Sequence, residues 1–296
     1  MTSVLVRERP GFVWAAPAAV FFGLFGIVPI VVVVYLSFTS WNGLGTPEWV
    51  GTQNWSALFD DGDFPSAART TLYLTVGSWL VQTPLALLIG VWAAGHQRFR
   101  AVMSTIFFLP LLLSTAAIAL VFVSLLDPNF GLAAIWGKYI GVPDGNFLGD
   151  PSRALPAVVF VVAWQFIPFH TLLYQAAARQ IPGMLYEAAE LDGAGRVRQF
   201  FSITLPQLRN TIVASSVMML VGSVTAFESV LLLTNGGPGN DTKVLPLHMY
   251  QQGFIAFDMG YASVLAVLLV IVGTVLSVVV VRSTGYHRMT SDREGL

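Results

Sequence analysis

Cysteine is absent from the 296-residue chain. No disulfide framework, thiolate metal site or cysteine nucleophile is therefore available. Charge is scarce too, at 10% of residues, against roughly 25% in an average soluble domain. A soluble fold of this length could not cover its surface with so few charges. Neither sign is in excess, because 15 Lys and Arg face 16 Asp and Glu. Nucleic-acid binding, which needs a basic surplus, is disfavoured. The G-x-x-x-x-G-K-[ST] phosphate-binding run is missing, as are H-E-x-x-H and any paired-carboxylate arrangement. The four histidines, His96, His170, His248 and His287, are scattered. His170 falls near the middle of an apolar run beside Pro168, where a hydrogen-bonded packing role is favoured over ligation, since one imidazole cannot make a metal site. A hydrolase or metalloprotease thus has little support.

Apolar residues are abundant, at 55%, with a mean hydropathy of +0.71, and this excludes disorder. A bilayer core about 30 Å thick needs about 20 apolar residues per helix. The long gaps between charges run from Arg9 to Glu48, Arg69 to Arg98, Arg100 to Asp127, Arg153 to Arg179, Arg209 to Asp241 and Asp258 to Arg282. They predict an all-α polytopic membrane protein with six spans, at about 12–38, 71–95, 103–126, 155–178, 211–234 and 261–281. Helices are expected because lipid offers no partner for backbone N–H and C=O groups. Continuous rather than alternating apolar runs disfavour a β-barrel. The first run exceeds the roughly 7–15 residues of a signal-peptide core and is expected to be retained. Prolines Pro29, Pro84, Pro110 and Pro168 inside the spans predict kinks, because each removes a helix hydrogen bond.

Lys and Arg counts set the expected orientation. Eleven (Arg7, Arg9, Arg98, Arg100, Arg179, Arg196, Arg198, Arg209, Arg282, Arg288 and Arg293) lie on the side of the N-terminus, and four (Arg69, Lys138, Arg153 and Lys243) on the other. Both termini, 1–11 and 282–296, are therefore expected in the cytoplasm. The opposite loops are acidic and carry Trp41, Trp49, Trp55 and Trp136, amphipathic rings that favour the head-group level.

The segment between the fourth and fifth spans is the most informative. Residues Met184 to Leu191 form a good helix, Gly193 allows a left-handed turn, Arg196 to Leu205 reads as a second short amphipathic helix, and Pro206 interrupts before the fifth span. Ala188 and Ala189 would let another backbone approach closely, and Glu187 and Glu190 could pair with a partner's cations. The residues alone leave two readings even: a docking knob, or an amphipathic loop lying on lipid.

Glu187-Ala188-Ala189, three residues, Gly193, nine residues, then Ile203-x-Leu205-Pro206 matches the EAA loop of ABC importer permeases in every element. The resemblance covers most of the chain. It includes Pro29 with Ser37-Phe38-Thr39, Val50-Gly51 with Asn54-Trp55, Phe107-Phe108-Leu109-Pro110, Asp127-Pro128-Asn129-Phe130-Gly131, Thr234-Asn235-Gly236-Gly237-Pro238, and Gly260-Tyr261-Ala262-Ser263. These are similar to the carbohydrate-uptake branch, the maltose- and glycerol-phosphate-type permeases. The chain departs from the pattern at Asn235, where Gly is commoner, and at Glu228, where Asp is commoner.

The resemblance implies a permease subunit that does no covalent chemistry and pairs with a second permease in a heterodimer. The loop at 182–206 (Glu187, Ala188, Ala189, Asp192, Gly193, Ile203, Leu205 and Pro206) would dock into a cytoplasmic ATPase dimer, which would hold ATP and Mg while this chain holds no cofactor. A solute-binding protein would dock on the acidic outer loops, in the bacterial cytoplasmic membrane. Glu228 is the only formal charge inside a predicted span, and intramembrane ionisable groups are functional candidates. It either faces the pore or sits near the outer interface. With Phe227, Gln82, Trp164 and Gln165 it forms the expected substrate pathway, since neutral donors and acceptors replace the water stripped from sugar hydroxyls. A mono- or oligosaccharide is preferred. A sugar or polyol phosphate such as glycerol 3-phosphate is the alternative, then an oligopeptide or amino-acid importer. A secondary transporter is disfavoured by the near-absence of intramembrane charge.

Overall fold

The computed structural model of the protein describes residues 14–95 and 105–283. The expected span starts at Phe12 and Met103, His96, the tail 1–11, residues 284–296 with His287, and the arginines Arg7, Arg9, Arg98, Arg100, Arg288 and Arg293 lie outside the described residues. The described chain is mostly helical and divides into two compact units: residues up to Asp60 with Met249–Leu268, and Asp61–His248 with the rest.

The first unit opens with α1 (Ala16–Phe22), a π turn (Gly23–Ile27) and α2 (Val28–Leu36). The wide turn has a local cause. Pro29 has no N–H to return to the carbonyl one turn back, and the ladder re-closes one residue wider, with Val28 N–H on Gly23 O. No residue of these segments is buried. A helix apolar on every side suits lipid or a partner rather than water. A two-residue hairpin follows, β1 (Thr39–Ser40) antiparallel to β2 (Glu48–Trp49) with Thr39 opposite Trp49, then α3 (Gln53–Asp60).

The second unit is organised by α4 (Phe64–Ala93). After residues 96–104, a 3-10 turn (Leu109–Leu112) leads to α5 (Thr115–Leu125). The expected third span is thus not one continuous helix. Pro110 cannot continue a hydrogen-bonded ladder, and Ser114 restarts the helix as its N-cap, accepting from Ala117 N–H at 3.2 Å. Next come α6 (Leu132–Trp136) and the 28-residue α7 (Pro151–Ala178). Asp150 caps α7 through Ser152 N–H at 2.8 Å, with Pro151 in the first turn. The Ser152 hydroxyl and amide hold the Asp150 carboxyl below its ordinary range, so the cap is present at neutral pH and is lost only in strong acid. Pro84, Pro156 and Pro168 all lie inside unbroken helices.

Beyond α7 stand α8 (Gly183–Leu191), α9 (Arg196–Gln199), a π turn (Phe200–Thr204) and α10 (Leu205–Gln207). This second π turn again immediately precedes a proline-bearing turn, at Pro206. The expected single helix from Arg196 to Leu205 is therefore divided. The expected fifth span is divided as well, into α11 (Arg209–Val224) and α12 (Glu228–Leu233). Thr225, Ala226 and Phe227 separate them, and the end of α11 that leads into the break, Gly222-Ser223-Val224, is built of poor helix formers. Helix α13 (Leu245–Tyr250) precedes α14 (Met259–Ser283).

Among the described residues, four segments are long and apolar enough to cross a membrane: Ala16–Leu36, α4, α7 and α14, while α5 and α11 are shorter apolar helices. Within the second unit α4 and α7 run parallel and touch along their length. A Cβ on Gly77 would meet Val159, and one on Gly90 would meet Tyr174 Cβ at 2.8 Å and Thr171 O at 2.9 Å. The core is a cluster of Ala86, Leu87, Ala163, Ile167, Tyr174, Leu208 and Met219. The opposite end of α4 is tied to the 235–248 segment. Lys243 Nζ pairs with Asp63 at 2.9 Å, His248 Nε2 with Asp61 at 2.6 Å, and Leu245 N–H donates to Thr71 Oγ1.

In the first unit the family-like motifs prove to be neighbours. Asn54 Nδ2 donates to Ser37 O and Thr39 O at 3.1 and 2.8 Å, Trp55 Nε1 donates to Ser37 Oγ, and Met259 N–H donates to Trp41 O. Gly260 lies against this knot, and a Cβ there would collide with Thr39 O. Overpacking at such a site costs about 1–3 kcal/mol. Gly260→Ala is expected to lower the thermal unfolding midpoint of the purified protein measurably. Gly273→Ala, where a Cβ meets nothing within 4 Å and the residue lies inside α14, is expected not to lower it, since Ala is the better helix former.

Candidate functional site

The polar residues of α4 follow a helical stripe: Thr71, Thr75, Ser78 and Gln82 at spacings of 4, 3 and 4, all buried. The stripe continues as Ala86, Gly90 and Ala93, where α7 approaches. Helix α7 contributes buried Gln165, His170, Thr171 and Gln175, and α11 contributes Ser215, Ser216 and Ser223. Otherwise apolar helices thus turn their hydroxyls and amides toward one another. Several bonds satisfy the seam: Gln175 Nε2 to Ala93 O at 2.9 Å, Gln165 Nε2 to Thr115 Oγ1 at 3.0 Å, and His170 Nδ1 with Ser215 Oγ at 2.9 Å. Thr75 Oγ1, Ser78 Oγ, Gln165 Oε1 and Thr171 Oγ1 are buried with no partner among the described residues, so the seam keeps unspent hydrogen-bonding capacity.

The seam opens into a cavity of about 500 Å³. Its polar wall includes Gln82, Thr115, His170, Ser223, Thr225 and Glu228, and Phe166, Phe169 and Phe227 supply aromatic surface. The gap between α11 and α12 falls on this wall. Thr225 closes α11 by donating its hydroxyl to Val221 O or Gly222 O, at 3.1 and 3.2 Å. Glu228 is the first residue of α12 and is exposed. A carboxylate in a first turn faces the positive end of the helix dipole, a gain of about 0.3–1 kcal/mol. The break thereby gives the Glu228 carboxylate a local counter-field and access to the cavity. Transport proteins build solute sites at such discontinuous helices.

Of the five residues expected on a substrate pathway, the cavity brings together Gln82, Phe227 and Glu228. Gln165 stands behind the wall and reaches it through Thr115. Trp164 belongs elsewhere: its ring packs edge-on to Phe122 at 5.2 Å and lines a separate apolar cavity with Leu85 and Pro110. Sequence reasoning missed Thr115, Ser223 and Thr225. The stripe on α4 could have pointed to the interior face, but the neighbours from α5 and α11 carry no such signal. His170, read as a hydrogen-bonded packing residue, has that bond and also lines the cavity.

The 182–206 loop is a well-defined structure at the C-terminal end of α7. Helix α8 ends in two interlocked bonds, Ala194 N–H to Ala189 O at 2.8 Å and Gly193 N–H to Glu190 O at 3.0 Å. This is a Schellman closure, whose pivot residue must be left-handed, and Gly193 has φ +74°. The distance from Ala189 to Gly193 in the motif is therefore set by helix termination. Tyr186 OH bonds Thr204 Oγ1 at 2.8 Å, and Gln199 Nε2 donates to Ala194 O at 3.0 Å. Phe200 and Leu205 pack on the core cluster of α4, α7 and α11. Glu187, Ala188, Asp192 and Pro206 are exposed, Ala189 and Ile203 half-buried. Met184, Leu191 and Val197 are large apolar residues left open, Leu191 at 90% exposure.

The 234–242 turn explains one departure from the family pattern. Asn235 has φ +50°, a left-handed conformation that Gly adopts freely and Asn tolerates better than other residues. Thr242 Oγ1 bonds Thr234 Oγ1 and Gly237 O at 2.7 Å each and pins the turn.

Residues 86–284 match the family described as binding-protein-dependent transport system inner membrane component. A probable ABC transporter permease of Bacillus subtilis is 35% identical, over 90% of this chain and 92% of its own. The diacetylchitobiose uptake system permease of Streptomyces coelicolor is 31% identical over 94% and 82%, and the multiple sugar-binding transport system permease of Streptococcus mutans 33% over 88% and 89%. Among solved structures, a bacterial alginate ABC transporter in complex with an alginate pentasaccharide-bound periplasmic protein shares the fold, with a TM-score of 0.79 at 24% identity over 91% of each chain. The chain belongs to the binding-protein-dependent transport system inner membrane components, the permease subunits of ABC transporters.

Proposed function

We propose that this chain is one half of a heterodimeric translocation pore that imports a neutral sugar at the expense of ATP hydrolysed by partner subunits. In this reading the chain crosses the bacterial cytoplasmic membrane six times, with α5 and the broken α11–α12 segment as the third and fifth crossings and both termini in the cytoplasm. A solute-binding protein delivers the sugar from outside. A cytoplasmic ATPase dimer, which holds ATP and Mg, grips the 182–206 loop.

The observation that carries the coupling role is the two-sided build of that loop. Its outer side offers Glu187, Ala188 and open apolar side chains. Its inner side, Phe200 and Leu205, is seated in the core cluster of the helices that also wall the cavity. A push on α8 is therefore transmitted to α4, α7 and α11 rather than absorbed by slack chain. The sugar is supported by the relatives' transport systems and by the cavity wall. Among the described residues, that wall has hydroxyl, amide and imidazole groups with aromatic surface, one carboxylate, and neither Lys nor Arg. A phosphorylated sugar or polyol would meet Glu228 with no cation on the described wall to offset the repulsion, so a neutral, polyhydroxylated solute fits better.

The reading is tested in proteoliposomes holding the assembled importer, its binding protein and ATP. Glu187→Ala removes one charged partner, worth about 1.5–3 kcal/mol, and is expected to lower sugar-stimulated ATP hydrolysis by about tenfold or more. Unchanged stimulation would refute the docking role. Gly193→Ala forces a side chain into the left-handed region at about 1–2 kcal/mol. It is expected to speed amide hydrogen exchange across residues 183–194, and Gly193→Asn to do so less. Glu228→Ala is expected to reduce neutral-sugar uptake with the protein still assembled. Uptake at the unsubstituted rate with the same sugar preference would place Glu228 outside the pathway.

A further inference from the structure

A second cavity, of about 620 Å³, lies at the end of α7 opposite the 182–206 loop and takes no part in the proposed transport path. Its walls are the end of α5 (Phe122, Leu125) with Leu126 just beyond it and the first turns of α7 (Pro156, Ala157, Phe160), and α6 roofs it with Leu132, Ala133 and Trp136. The volume is that of a ligand pocket, about 300–1,000 Å³. From Arg153 at the mouth to Phe160 is seven helical residues, about 10 Å of depth.

Three features identify the occupant. The walls run on into the exposed apolar flanks of the same helices, at Leu120, Val121 and Phe160, and membership of an inner-membrane family sets those flanks in lipid. The roof carries Ile135, Trp136, Tyr139 and Ile140 on its exposed surface, with Lys138 Nζ 5.0 Å from the Tyr139 ring. Apolar side chains with aromatic tips and a lysine are the composition of a segment lying at the head-group level. At the mouth, charges of both signs alternate. Arg153 lies 2.9 Å from Asp144 and 3.7 Å from Asp150, with Asp144 itself well exposed. An anionic head group would meet these carboxylates, whereas a zwitterion can offer its phosphate to Lys138 or Arg153 and its ammonium to Asp144.

We propose that this cavity is a structural lipid site, which takes an acyl chain of a phospholipid with an amine-bearing zwitterionic head group. The lipid fills the void between α5 and α7 and fastens α6 to the helices beneath it. It occupies the leaflet remote from the 182–206 loop, which under the proposed topology is the outer one.

The test uses the assembled importer, purified and then stripped of lipid by detergent exchange. Native mass spectrometry after adding phosphatidylethanolamine is expected to show one tightly retained phospholipid per copy of this chain and a raised melting temperature. Phosphatidylglycerol at the same concentration is expected to do neither. Ala157→Leu and, separately, Ala133→Leu fill the cavity and are expected to lose the retained lipid. Should both fail to assemble, Ile140→Cys in this cysteine-free chain, labelled with a thiol-reactive fluorophore, supplies an independent readout: quenching by phosphatidylethanolamine with brominated acyl chains. Retention of the lipid by both cavity-filled variants, equal retention of the two lipids, absence of quenching, or disulfide capture of the introduced thiol by an engineered cysteine on the second permease would each overturn the proposal.

Discussion

The contact at Gly90 is the constraint from which the second unit is built. A side chain there would press on Tyr174 Cβ and the Thr171 carbonyl, so the two longest helices of the unit meet almost backbone to backbone. Close approach of this kind is how helices associate in lipid, where apolar surface gains little from leaving its solvent and packing with internal hydrogen bonding must supply the attraction. The bond from Gln175 to Ala93 O lies in the same layer. With α4 and α7 locked in parallel, their polar faces are carried along and become the interior seam.

The same layer receives the cytoplasm-directed loop of the proposed topology. Phe200 and Leu205 sit on a cluster whose members belong to α4, α7 and α11, and Tyr186 ties α8 back to Thr204. The exposed helix and the buried core are thus joined through few links. Gly193 contributes by ending α8 sharply, so that α9 can turn back beneath it. The spacing of the motif thus runs from helix termination at Gly193 to packing on the core cluster at Leu205.

Broken helices account for most of the differences between sequence and structure. Charge gaps mark where apolar segments begin and end, and they describe α7 and α14 to within a few residues, whereas α4 starts at Phe64, ahead of the expected residue 71, because its first turns carry Arg69. They are blind to interruptions inside an apolar run. At Pro110 the interruption was legible in principle, since a proline followed by Ser114 is a stop and a restart. At Thr225 it was not: the residues are weak helix formers, but a helix through them would cost little on propensity alone. The break there places Glu228 at a helix start on the cavity wall, a placement that no local preference announces. Trp164 shows what chemistry alone leaves open: an indole suits a sugar ring or helix packing equally, and its position on α7 sets it against Phe122.

Three properties can be read along the chain without coordinates: the membrane class from the shortage of charge, the helical fold from unbroken apolar runs, and the 182–206 loop from its resemblance to a family motif, with a glycine where a left-handed turn is allowed. Each is local or compositional, so it survives in one dimension. Packing alone settles which polar residues share a cavity, because Gln82, Thr115, His170, Ser223 and Glu228 come from five different helices and meet only after α4 and α7 pack. Packing likewise joins Ser37, Asn54 and Gly260 into one knot. Their pairing is a matter of backbone carbonyls and the absence of a Cβ, and neither leaves a periodic trace in the chain.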